Sequence, residues 1–176
     1  MTLNKASTIL VGILLSGLII GCQPKGIDNT ESLDKTATDQ STKATHQDTF
    51  EYKGAYVGDN SAVGNILTRL PVSSSSKDFE LSTVTEPYGV TVNYDGSEPP
   101  QQRSRIIVYT ATYLMSLLRN ADWVTLNFGD QTVRLTKAQL QEWYGRDLSS
   151  FDNEEQLNTA IEAQLANELK VNQLLQ

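Results

Sequence analysis

The residues able to do chemistry are few and scattered. The chain of 176 residues holds one cysteine, Cys22, and one histidine, His46. Both precede residue 50, ahead of the region rich enough in apolar residues to fold. That placement excludes zinc-type ligand sets and histidine-based triads from the domain, because both depend on thiolate or imidazole groups. Oxygen chemistry remains. Asp59, Asp95 and Glu98 are candidates for paired-carboxylate catalysis, which needs no histidine. Each also has a local reading, Asp59 as a helix cap and the other two as turn residues. Ser74-Ser75-Ser76-Lys77 has Ser-x-x-Lys spacing but stands in a serine-rich loop before a strand. Asp147, Asp152, Glu154 and Glu155 form an acidic cluster without the alternating ligands and central glycine of a calcium loop. Acids there suit a helix N-terminus. Gly58 and Gly64 lack the Lys-Ser/Thr ending of a phosphate loop. The domain therefore reads as having no metal, no cofactor and no catalytic residue. Tyr52, Tyr56, Tyr88 and Tyr94 are candidates for a binding surface, since a ring with a polar tip suits recognition. Trp123 and Trp143 read as core pieces.

Cys22 has one chemistry open to it. Lys5 gives a positive start, Thr8 to Ile20 is an uncharged apolar run, and Gly21 precedes the cysteine. The chain then turns polar at Gln23, Pro24 and Lys25. A charged start, a short apolar core and a small residue at the cut form an export signal. The apolar run is shorter than the roughly 20 residues that span a bilayer. Ile19-Ile20-Gly21-Cys22 resembles the bacterial lipobox. That resemblance implies diacylglycerol transfer to the Cys22 sulfur, cleavage between Gly21 and Cys22, and acylation, such as palmitate, of the new amino terminus. Two or more acyl chains make a stable anchor where one is marginal. With a single cysteine no disulfide forms within one chain, so the core alone must supply stability.

Composition limits the partners. The net charge is −7, and residues 1–21 contribute one Lys and no acid. An acidic surface argues against nucleic acid, which needs clustered cations, and against electrostatic adhesion to anionic lipid. Residues 22–49 are dominated by Thr, Asp, Ser, Lys and Gln, with Ile27 and Leu33 the only large aliphatics. They bury too little apolar surface to order and read as a disordered tether. Residues 50–176 suffice for one domain.

The elements that would position any site follow from local signals. Asp59 or Ser61 caps a short helix through Ala62, Val63, Ile66, Leu67 and Leu70, closed by Pro71. Residues 79–85 and 90–94 read as strands, with Val90, Val92 and Tyr94 on one face. Glu86-Pro87-Tyr88-Gly89 between them fits a type I turn. Residues 95–102 read as a loop containing Pro99 and Pro100. A helix over residues 103–118 carries an apolar arc wide enough to pack on more than one side. Residues 123–128 form a strand, Gly129-Asp130 a Gly-first hairpin turn, and Val133 and Leu135 continue the inner face. Thr136 with Gln139 is a capping box, opening a helix that Gly145 ends. Asp152 with Glu155 starts a last helix carrying Leu157, Ile161, Leu165 and Leu169. The order αββ-αββ-αα predicts an α+β domain with an antiparallel sheet of about four strands packed with helices.

Tyr56-Val57-Gly58-Asp59-Asn60-Ser61, then Val63-Gly64-Asn65-Ile66-Leu67 and Leu70-Pro71, resembles the opening of domain-of-unknown-function family 4825. Asn120-Ala121-Asp122-Trp123-Val124-Thr125-Leu126 resembles its middle, and the likeness covers residues 50–148. The resemblance implies a Gram-positive lipoprotein with an extracytoplasmic accessory or sensory module, and it supplies no catalytic residues. The expectation is a non-catalytic domain on the outer face of the cell membrane, held by lipid on Cys22, with an extracytoplasmic protein or a cell-wall ligand as partner. A cell-envelope hydrolase using carboxylate or serine chemistry is the alternative.

Overall fold

The computed structural model describes residues 48–72, 74 and 76–176. The described residues all belong to one compact unit. The export signal, the tether, Gly21, Cys22 and His46 lie outside the described residues.

The first element is a 3₁₀ turn, Thr49–Tyr52, capped by the Asp48 side chain. Helix α1, Asn60–Thr68, starts where Asp59 Oδ1 accepts the Ala62 N–H at 2.9 Å. It buries Ala62, Val63, Ile66 and Leu67. Strands β1 (Asp78–Ser82) and β2 (Gly89–Asn93) pair antiparallel. The loop between them is longer than a four-residue turn and contains a cis Glu86–Pro87 peptide. Helix α2 runs Pro100–Leu117. It starts earlier than its apolar stripe indicates because Pro100, which lacks an N–H, fits a first helical turn. Strands β3 (Trp123–Asn127) and β4 (Thr132–Thr136) form the second antiparallel hairpin. Gly129 leads its turn at φ 83°, the region the first position of such a turn requires.

The sheet order is β1-β2-β3-β4, and the central pair is parallel, with Gly89 opposite Trp123 and Asn93 opposite Asn127. The antiparallel expectation therefore holds within each hairpin and not between them. A helix separates β2 from β3, and a crossover of that kind returns the chain to the same end of the sheet, so β3 runs parallel to β2 and the sheet is mixed.

Every residue from Ile106 to Leu117 is buried. Helix α2 is thus the axis of the core, and the breadth of its apolar arc is matched by partners on several sides. It packs against β3, α1, the 3₁₀ turn Leu148–Ser150 and α4, Glu154–Leu165. Val90, Val92, Val124, Leu126, Val133 and Leu135 line the covered sheet face. Phe79 of β1 meets α1 at Gly64. On the opposite face, Glu80, Thr91, Thr125 and Arg134 sit in one row across all four strands.

Helix α3, Lys137–Tyr144, opens on the expected capping box and closes at Gly145. The last helical segment differs from its expectation. Asn153 rather than Asp152 caps α4, and the helix stops at Leu165 before α5, Glu168–Leu174, capped by Asn167. The break turns Leu169 out, 77% exposed, and Val171 takes the buried place instead.

Candidate functional site

The two sequence motifs meet one another and hold the fold together. Asn120 Oδ1 accepts the Val57 N–H at 2.8 Å, fixing the segment that leads into α1. Asp122 Oδ2 accepts the Tyr88 N–H at 2.8 Å, and the Trp123 indole N–H donates to the Pro87 carbonyl at 3.0 Å. The Trp123 ring lies across Gly89, and the Arg134 guanidinium stacks 3.8 Å from the ring centroid. These residues build a joint between the hairpins.

The four candidate tyrosines do not form one surface. Tyr94 lies inside rather than on the surface: it is 6% exposed, stacked on Phe128 at 4.9 Å, with its hydroxyl 2.9 Å from Thr110 Oγ1. It follows directly on β2 and continues the inward alternation of Val90 and Val92. Tyr88 is half-buried, its backbone tied to Asp122. Tyr52 is half-buried beneath Arg69, which also pairs with Glu51. Only Tyr56 is largely exposed, at 52%, with Arg119 over its ring at 5.0 Å.

Arg119 leads to the site that sequence reasoning missed. A recess of about 410 Å³ lies at the C-terminal end of α2, within the range of small-ligand pockets. Lys53, Arg119 and Lys137 line it, together with Ser116, Gln141 and Asp147. Three chain segments converge here. Gly54 N–H donates to the Leu117 carbonyl at 2.8 Å and Arg119 N–H to the Ala55 carbonyl at 2.9 Å, so Ala55 and Leu118 form a short parallel bridge. Lys137 N–H donates to the Asp122 carbonyl at 2.8 Å, which brings the start of α3 alongside.

The charges are unbalanced. The ion pairs among the described residues use Arg69, Arg103 and Arg105, leaving Lys53, Arg119 and Lys137 outside them. Lys53 Nζ donates to the Phe151 carbonyl, which fixes the ammonium but does not neutralise it. Asp147 accepts the N–H and the hydroxyl of Ser149, both at 2.8 Å, and these bonds, with Lys137 nearby, hold its carboxyl below the usual range. Ser116 is 6% exposed and its Oγ has no hydrogen-bond partner. One signal was available in the sequence: Lys137 follows the capping Thr136, so a cation occupies the helix position where the dipole disfavours it. Such a breach of a local rule marks a place to look.

The other sequence candidates are occupied locally. Asp59 caps α1, and Asp95 accepts from Ser97, which lowers its carboxyl pKa. Ser74 Oγ donates to Glu98 Oε1 at 2.6 Å, and Glu98 Oε2 is buried without a partner. Among the acidic cluster, Asp147 serves its 3₁₀ turn, while Glu154 accepts the Tyr113 hydroxyl at 3.1 Å and the Thr49 N–H at 3.3 Å. No group of three metal-ligating side chains occurs among the described residues.

Two hairpins bridged by a buried helix, with their motifs locked at the joint, define a small α+β domain. The chain belongs to the family described as domain of unknown function (DUF4825), which matches residues 49–141. Lys53, Ser116, Arg119 and Lys137 all fall within that span. No curated protein and no solved structure matches the chain.

Proposed function

We propose that this chain is a lipoprotein on the outer face of the cell membrane, where its domain binds a partner rather than catalysing a reaction. The observation that carries the binding reading is the exposed Tyr56–Arg119 pair beside a recess with uncompensated positive charge. An aromatic ring under a guanidinium is a common recognition element. The anchor reading rests on the Ile19-Ile20-Gly21-Cys22 sequence. It is consistent with the described residues, where no helix is long and apolar enough to cross a membrane. A Gram-positive accessory or sensory module facing the wall fits both.

Two measurements test it together. Labelled palmitate should enter the protein and not its Cys22→Ala variant, which should leave the membrane fraction. Pull-down of the lipidated protein should recover an extracytoplasmic protein or wall fragment in larger amount than a Tyr56→Ala/Arg119→Gln variant recovers. A Cys22→Ala protein that stays membrane-bound removes the anchor. Equal recovery by the two proteins removes the binding surface.

One observation favours a second reading, the cell-envelope hydrolase. The Ser74 hydroxyl is within hydrogen-bond reach of the Glu98 carboxylate, the geometry of a nucleophile and its base. Carboxylates are ordinarily weak bases at neutral pH, and no imidazole stands among the described residues, so binding is preferred. A fluorophosphonate probe is expected to leave Ser74 unmodified; an adduct there that Glu98→Gln abolishes would establish the enzyme.

A further inference from the structure

The recess gathers like charge in an acidic chain. Net charge is −7, yet Lys53, Arg119 and Lys137, drawn from three distant segments, meet at one concavity. Holding like charges together costs free energy, and a cation at the first position of α3, near Asp147 but in none of the ion pairs among the described residues, adds to that cost. A bound anion would offset both. Ser116 adds an independent sign, because its buried hydroxyl lacks a partner. A buried polar group left unsatisfied is unfavourable unless a ligand or water completes it.

We propose that the recess binds a small oxyanion, the carboxylate or phosphate group of a larger ligand, and this rests on the binding reading above. Arg119 and Lys137 supply charge-assisted hydrogen bonds, which are stronger than neutral ones. Lys53 is oriented by the Phe151 carbonyl and keeps further N–H donors, since an ammonium has three. Ser116 belongs to the lining, and its buried, unpartnered hydroxyl would turn toward a bound oxyanion to donate. Asp147 is the one acid among the lining residues, and Ser149 already occupies its Oδ1. The balance at the rim stays positive. A peptide carboxyl terminus and a phosphate-bearing polymer share this chemistry.

The test is an NMR titration of the ¹⁵N-labelled full chain in detergent with sodium phosphate, sodium acetate, and sodium chloride at matched ionic strength. Saturable shifts are expected at the Lys53, Ser116 and Arg119 amides, and the tighter of the two oxyanions identifies the source. Arg119→Gln and Lys137→Gln should each weaken binding about tenfold. Ser116→Ala should weaken it less and leave the fold intact, because it removes a hydroxyl that bonds to nothing in the free protein. The proposal is overturned if neither oxyanion gives saturable shifts beyond those of chloride. It is equally overturned if the shifts persist in the Arg119→Gln/Lys137→Gln double variant. A partner whose capture depends on Tyr56 and Arg119 but not on a Lys53→Gln/Lys137→Gln variant would remove the oxyanion site and leave the binding surface standing.

Discussion

Replacing Gly89 by alanine should lower the unfolding free energy by about 3 kcal/mol or more, the upper range for overpacking. A Cβ at Gly89 would lie 2.2 Å from Cδ2, 2.3 Å from Cε2 and 2.6 Å from Cε3 of Trp123. Those atoms belong to a flat ring that cannot fold away. Its indole N–H is bonded to the Pro87 carbonyl, and Arg134 covers it. Gly89 in turn pairs with Ser82 on one side and Trp123 on the other. The clash therefore falls where the two hairpins join. Against a typical domain stability of roughly 5–15 kcal/mol, such a loss should be plain in urea denaturation. Trp123→Leu should be destabilising alone and yet reduce the cost of Gly89→Ala, giving a non-additive double-mutant cycle. A Gly89→Ala protein within about 0.5 kcal/mol of the parent, the range of ordinary surface changes, would mean that the ring is free to move.

Alkaline unfolding is the second large effect. Burial pushes the Tyr94 hydroxyl up to about 12, and the Glu98 charge adds to it while Thr110 opposes it. Tyr109, Tyr113 and Tyr144 are also raised, with burial the leading cause in each. Glu162 contributes at Tyr109 and Glu154 at Tyr113. Each folded value exceeds that of an unfolded tyrosine, near 10. Stability is thus complete below about pH 10 and falls above it, because only the unfolded chain releases these protons. The slope approaches about 1.4 kcal/mol per pH unit for each tyrosine that stays protonated when folded. Melting temperature measured from pH 8 upward should hold steady and then drop sharply above pH 10, with tyrosinate absorbance rising in step with unfolding. The chain has seven tyrosines. If all of them titrate near pH 10 while the fold persists, the buried assignment is wrong.

Legibility in the sequence followed the range of the interaction. Thr136 and Gln139 are three residues apart, and their reciprocal bonds form as read. Gly129-Asp130 is equally local and equally faithful. The α2 arc showed a buried helix because burial on several sides leaves little room for charge along it. The parallel pairing of β2 with β3 was not legible, since no local feature records which way two distant strands meet. The helix break at Asn167 was missed because the apolar spacing continues through Leu169, while the Asn167 side chain caps the Lys170 N–H. Tyr94 had two readings, and alternation along β2 correctly favoured the inner one. The recess was hidden for a plainer reason. Lys53, Ser116, Arg119 and Lys137 come together only after the sheet, α2 and α3 are assembled.

The path by which the chain enters the domain has a mechanical meaning. Thr49 is fully buried, and its N–H reaches Glu154, 105 residues away. Beyond it, the Ala55–Leu118 bridge runs parallel to the end of α2, with one hydrogen bond on each side. A pull from the N-terminal side would load these bonds along the strand direction, together, rather than peel them open in turn. Tension applied at Asp48 would pass into α2 and α4, the centre of the core, before any edge could fray. The bridge that carries such a load also forms one wall of the cationic recess, so a stretched chain and an occupied recess would act on the same few bonds.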